Sequence, residues 1–229
     1  MRKIAILYLL GALLVSGCVR DEFDTTRVVE GAAARISLKI TLPVMGGGTD
    51  TRAVSADVEK RLDNLFVLVF DGGGQIVTRH RYTAQTGASL SSLLIDTRSG
   101  KGHTLCFVAN VKDGMDSQLT ALTSYDALKE LLVTATELNL GQSTDVPLIM
   151  TAIMENVNVQ EGANSISNPV QLQFLAAKVT LTLVDNTPGT QEVTIIGWDV
   201  QDAPTRSYLF PDDSKDACLL YTSDAADDK

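Results

Sequence analysis

Between residues 35 and 42 apolar and polar side chains alternate without a break: Ile36, Leu38, Ile40 and Leu42 are interleaved with Ser37, Lys39 and Thr41. A period of two places the four aliphatic side chains on one face of an extended chain, and that face must be covered. Pro43 ends the strand. Leu65 to Phe70 is apolar throughout, the pattern of a central strand covered on both faces. Asp71-Gly72-Gly73-Gly74 follows and supplies the positive φ of a tight hairpin, so Gln75 to Tyr82 should return antiparallel.

The same reading predicts strands at Ser89 to Ile95, His103 to Asn110, Val146 to Ala152 and Val157 to Gln160. It predicts one helix, Tyr125 to Val133, with Thr123 and Asp126 as a capping box. After a linker at Asn164 to Pro169, Val170, Leu172 and Phe174 alternate. Lys178 to Val184 and Val193 to Val200, the latter carrying Trp198, are strand-like, with a turn at Thr187-Pro188-Gly189 between them. Many short strands, frequent turns and little helix give a mainly β chain of sandwich type.

The organisation follows from composition. Residues 1–17 run from Arg2 and Lys3 through an apolar stretch to small residues, the layout of an export signal. Val15-Ser16-Gly17-Cys18 resembles a lipobox, which implies lipid attachment at Cys18 and a mature chain that starts there. Residues 18–34 form a tether, 35–168 a first sandwich and 169–217 the start of a second, incomplete one. Residues 218–229 resemble the codon-for-codon translation of a transposase adapter used in DNA library preparation. The natural chain is therefore expected to continue differently beyond Ala217.

With 19 Lys plus Arg against 28 Asp plus Glu, the net charge is −9, and no basic cluster follows the signal. A nucleic-acid partner, which needs concentrated cations, is excluded on that ground. No catalytic constellation is visible. His80 and His103 are expected at strand ends in solvent, without a nucleophile beside them. Gly72 to Gly74 lacks the Lys and Ser/Thr of a phosphate loop. Asp113, Asp116, Asp212 and Asp213 do not have the spacing of dedicated calcium ligands and are expected in solvated turns. Cys106, inside an apolar run, is expected to be a buried thiol. Tyr208 and Phe210 could offer a sugar-stacking platform, but core packing is the simpler role. No enzyme activity, metal or cofactor is expected.

Several pieces together resemble the fimbrillin (type V pilin) superfamily of Bacteroidales over roughly Ala34 to Pro211. They are the early alternating strand, Thr51-Arg52, and the run Asn64 to Gly72. Phe107-Val108-Ala109-Asn110, Val146 to Thr151 and Ala176-Ala177-Lys178-Val179 follow in the same order. That resemblance implies tandem transthyretin-like (Greek-key) β-sandwich domains, here with the second incomplete. It also implies a surface-exposed subunit, lipid-anchored in the cell outer membrane and assembled into a fimbrium. An arginine-specific protease would cut between Arg52 and Ala53. The strand bearing Ile36, Leu38, Ile40 and Leu42 would leave, and a donor strand of another subunit would replace it. The donor would lie beyond Ala217, so stalk, tip and anchor roles stay open. Partners implied are other fimbrial subunits, the outer membrane through the lipid, and host or bacterial surface ligands. The alternative is a surface glycan-binding lipoprotein of a nutrient-uptake system.

Overall fold

The alternating segment forms β1 (Ala33–Thr41), with Ala34, Ile36, Leu38 and Ile40 buried and Arg35 and Lys39 exposed, as the period of two requires. The structure is a computed structural model that describes residues 28–43, 58, 61–85, 89–138, 146–176, 184 and 205–211. β1 pairs antiparallel with β4 (Ser89–Arg98) on one side. On its other side it pairs in parallel with β8 (Gly162–Ser165) and then with β9 (Val170–Gln171). It is therefore an interior strand of this sheet.

The second sheet is antiparallel, in the order β10 (Gln173–Phe174), β7 (Met150–Val159), β5 (Gly100–Ala109), β2 (Leu62–Phe70) and β3 (Ile76–Gln85). Its centre is covered on both faces. Leu65, Val67 and Val69 of β2 share a core with Ile36, Leu38 and Ile40 across the sandwich. Phe66, Leu68 and Phe70 face the other way, into a second core shared with Met115, Leu119 and Leu128. Two helices supply those residues, α1 (Asp113–Ala121) and α2 (Tyr125–Lys129). A small sheet of β6 (Leu132–Thr134) and β11 (Arg206–Tyr208) lies beside them and brings Leu209 and Phe210 into the same core.

The hairpin between β2 and β3 forms as its glycines require. Asp71 accepts at Oδ1 from the amides of Gly73 and Gln75, each at 2.9 Å, and Gly74 has φ of 77°. A Cβ on Gly72 would lie 2.8 Å from the Lys101 carbonyl oxygen, so a side chain is excluded there too.

Several expectations are corrected. The predicted helix Tyr125 to Val133 stops at Lys129, because Leu132 to Thr134 pairs with β11 instead. Its cap is Ser124, which accepts from the Ala127 amide, rather than Thr123, whose carbonyl is taken by Ile76 of β3. A second helix, α1, holds Asp113 and Asp116, which were expected in turns. The two strands predicted at Val146 to Ala152 and Val157 to Gln160 are joined in one strand, β7 (Met150–Val159), which carries Asn156 at φ of 58° and leaves residues 146–149 and Gln160 outside it. β8 runs into the expected linker and takes up its first two residues, Asn164 and Ser165, and Val170 and Leu172 are buried with Ile36 and Ile40. Residues on both sides of the boundary placed at 168/169 thus share one sheet and one core.

His103 is buried rather than solvated, and His80 lies within β3 rather than at its end. Cys18, the loop from Gly46 through Arg52 to Ala53, Lys178 to Leu183, Val193 to Val200, and residues 212–229 all fall outside the described residues. No helix among the described residues is long and apolar enough to cross a membrane.

Candidate functional site: the slot that holds the first strand

β1 lies in a slot with two hydrogen-bonding walls and an apolar floor. One wall is β4, in a register that sets Arg35 against Asp96, Ile36 against Ile95 and Leu38 against Leu93. The other wall is β8 followed by β9. Between and beyond them the amides of Ile166 and Leu172 donate to the carbonyls of Ser37 and Thr41 at 2.9 and 3.0 Å. The floor is the second sheet, from which Leu65, Val67, Phe107 and Met150 meet the buried face of β1. Ile36 and Ile40 have no exposed surface, and Leu42 is half-buried at the far end.

The start of the strand is clasped. Around Ser99 the Gly31 amide donates to the Ser99 carbonyl, and the Ser99 amide to the Ala32 carbonyl, both at 2.8 Å. The Ser99 hydroxyl accepts from the Ala32 amide at 2.9 Å and donates to the carbonyl of Val29. Gly31, at φ of 78°, makes the bend possible. Sequence reasoning missed this clasp, since a lone serine between two strands carries no pattern.

On the outer face Arg35 Nε donates to Asp96 Oδ1 at 2.5 Å. That hydrogen bond holds the Asp96 carboxyl below the usual carboxylate range, opposed by desolvation and aided to a lesser extent by the guanidinium charge. Asp96 in turn raises the Arg35 guanidinium. Both side chains are more than half exposed, so the pair fixes register more than it stabilises.

The outer edge of β4 is held by side chains of β3. His80 Nε2 donates to the Asp96 carbonyl at 2.7 Å, and the Tyr82 hydroxyl to the Leu94 carbonyl at 2.6 Å. Burial, aided by the Asp96 charge, pushes the Tyr82 phenol up to about 12, so it stays a donor. These bonds brace β4 independently of β1.

Two asparagines set the β2–β5 register beneath the slot. Asn64 exchanges a pair of hydrogen bonds with Val111, at 2.8 and 2.9 Å. Asn110, at φ of 61°, donates to the carbonyls of Arg61 and Leu148 and accepts from the Asp63 amide. Of the residues proposed for function from sequence, the structure brings together Ile36, Leu38, Ile40 and Leu42. Cys18, Arg52 and Ala53 are not described. Phe210 is buried and Tyr208 half-buried, so they form no exposed aromatic platform. Cys106 is buried, and desolvation drives its thiol well above the ordinary range, as expected of an inert core residue.

A family model described as "Major fimbrial subunit protein (FimA)" matches residues 34–199, well over half of the chain, beginning inside β1. The chain belongs to this fimbrial subunit family. The fimbrillin resemblance read from the sequence is thereby shown, and the slot is a feature of a FimA-family fold. A curated relative, "Putative fimbrium tip subunit Fim1C" of Parabacteroides distasonis, is 27% identical over 92% of this chain and 60% of its own length. The chain thus spans about three fifths of that relative. Among solved structures, a tip fimbrial protein of Porphyromonas gingivalis with a C-terminal truncation aligns at 18% identity and a TM-score of 0.46. The alignment covers 62% of this chain and 48% of that one. A fimbrilin of the same species aligns at 15% identity and a TM-score of 0.44, over 62% and 40% of the two chains.

Proposed function

We propose that this FimA-family protein is a subunit of surface fimbriae, in a structural or tip position, joined to its neighbours by strand exchange. In this reading Cys18 carries the lipid that anchors the exported chain to the outer membrane. A protease then cuts between Arg52 and Ala53, β1 leaves its slot, and a strand from another subunit takes its place. The observation that carries the reading is that β1 pairs on both sides while a glycine-rich stretch of sequence, Gly46 to Arg52, follows it closely.

An interior strand differs from an edge strand in what its loss exposes. Its departure opens two rows of unpaired backbone groups and an apolar floor together, and β-augmentation by a new strand satisfies both. The three fully enclosed aliphatic side chains Ile36, Leu38 and Ile40 contribute roughly 5 to 9 kcal/mol of transfer free energy, at about 1.5 to 3 each. A replacement must supply a similar amount. The brace from His80 and Tyr82 gives a reason why the β4 wall would outlast β1.

The test is peptide mapping of the protein sheared from the surface of cells that make it. Protein in fimbriae is expected to begin at Ala53 and to lack Ala33 to Leu42. Recovery of fimbrial protein that still carries those residues on an uncut chain would overturn the exchange mechanism. Failure to find the protein in fimbriae at all would overturn the assignment itself.

A further inference from the structure

β1 is held unequally along its length. Its first part, Ala33 to Leu38, has register partners on β4 throughout, and Ala34 to Ser37 has partners on β8 as well. Its last part is short: Ile40 and Thr41 pair with Leu90 and Ser89 on one side and with Val170 and Gln171 on the other. Between the two parts lies Lys39, which is exposed and has no register partner on either wall. The β4 register shifts at that same position, since Leu38 faces Leu93 whereas Ile40 faces Leu90.

The clasp lengthens the first part further. Residues 29–32 are bonded to the corner where β4 turns into β5. Besides the bonds to Ser99, Arg98 Nη1 donates to the Gly31 carbonyl at 3.0 Å, and the Lys101 amide donates to Glu30 Oε1 at 3.2 Å. Gly100 leaves room for that carboxylate, because a Cβ there would lie 2.6 Å from Glu30 Oε2. At the other end the register stops at Thr41, and Pro43 has no amide with which to extend it.

A cut after Arg52 frees only the Thr41 end of the strand. A strand freed at one end frays from that end, at the cost of the contacts of the residues that leave. As far as Lys39 the fray breaks the pairs of Ile40 and Thr41 and lifts Ile40 off the floor. Beyond Lys39 it meets a run paired on both sides and then the clasp. We infer that β1 leaves its slot in two stages, with Ile40 to Leu42 opening first and the clasp at Ser99 opening last. Ser99 thereby sets how long a cut chain keeps its first strand. The inference rests on the proposed cleavage and removal of β1, and adds the order and control of that removal. In the same reading the leaving fragment carries Cys18 and its lipid, so the clasp separates cleavage from release: a cut chain stays at the membrane until the clasp opens.

The test uses the full chain with a sequence-specific protease site placed within residues 46–51 and cut quantitatively without denaturant. Amide hydrogen exchange is read residue by residue before and after the cut. The Leu172 amide, bonded to the Thr41 carbonyl, reports the last part of β1, and the Ile166 amide, bonded to the Ser37 carbonyl, reports the first. The amides of Gly31, Ala32 and Ser99 report the clasp. After cutting, Leu172 should exchange roughly tenfold faster or more, while Ile166 and the clasp amides keep their uncut rates for as long as the fragment stays bound. Loss of the fragment is timed separately, by mixing isotopically heavy and light cut chains and following fragment swapping by native mass spectrometry. Ser99→Ala should shorten the fragment's lifetime roughly tenfold and leave Leu172 exchange on the cut chain unchanged. Glu30→Ala, an exposed change on the fragment itself, should shorten that lifetime a few-fold.

If the fragment swaps but Leu172, Ile166 and the clasp amides all exchange together at the rate of swapping, removal is all-or-none and this inference fails while the removable strand stands. Exchange of the clasp amides ahead of Leu172 would overturn the proposed order. Lifetimes unaltered by both Ser99→Ala and Glu30→Ala would overturn the control assigned to the clasp. A fragment that never swaps, in the unaltered chain or in either variant, would refute the removable strand itself.

Discussion

Asn110 shows how much one residue can hold. Its backbone takes the left-handed conformation at φ of 61°, which asparagine tolerates better than most residues, and its amide bonds three backbone groups from two separate segments. Replacement by alanine removes these three hydrogen bonds near the core and should cost on the order of 3 kcal/mol in denaturant unfolding. Asn110→Gly relieves the backbone conformation but not the lost bonds, and should recover only roughly 1 kcal/mol of that. Asp96 gives a pH signature. Its carboxyl lies below its ordinary value when folded, so it adds stability above the unfolded pKa, and this is lost as pH falls through the folded one. The stability difference between wild type and Asp96→Asn should be full at pH 7 and shrink only as the pH falls below the ordinary carboxylate range. Thermal unfolding across that range reads it directly. Neither role was legible in sequence, because register partners such as Asp96 and Arg35, sixty-one residues apart, are set by topology.

At the scale of the element, the strands with strong periodicity were legible and the rest were not. β1 and β2 declare themselves because burial on one face or on both selects their side chains directly. β8 does not, since Gly162 to Ser165 contains no large apolar residue and exists through backbone pairing with β1. α1 is hidden for a related reason. Among its described side chains only Met115 and Leu119, one turn apart, are buried, while Gly114, Asp116, Ser117 and Gln118 give the segment the look of a loop. The importance of β1 to the fold is testable by truncation of its inward side chains. Ile40→Ala should destabilise by about 2 to 5 kcal/mol in denaturant unfolding, whereas Lys39→Ala on the exposed face should change stability by less than about 0.5 kcal/mol.

Across the whole molecule, a mainly β sandwich with one sheet covered on both faces was readable from alternation and continuous apolar runs. The chain order within the first sheet was not. That β1 would sit between β4 and a parallel β8–β9 edge depends on a crossover joining residues more than a hundred positions apart, which no local pattern encodes. This placement makes β1 more than a strand that happens to come first. It is the piece whose absence leaves an open slot, and the assembly account depends on its leaving. A covalent lock across the slot tests that dependence. Arg35 and Asp96 are register partners, and neighbouring strands place such Cα atoms about 4.5 to 5.5 Å apart, within the reach of a disulfide. Arg35→Cys/Asp96→Cys protein, exported by cells that build fimbriae, should reach the surface but stay out of the fibres, while either single cysteine variant is incorporated normally. Incorporation of the locked protein at the level of the single variants would show that β1 never leaves the slot, and would contradict the account.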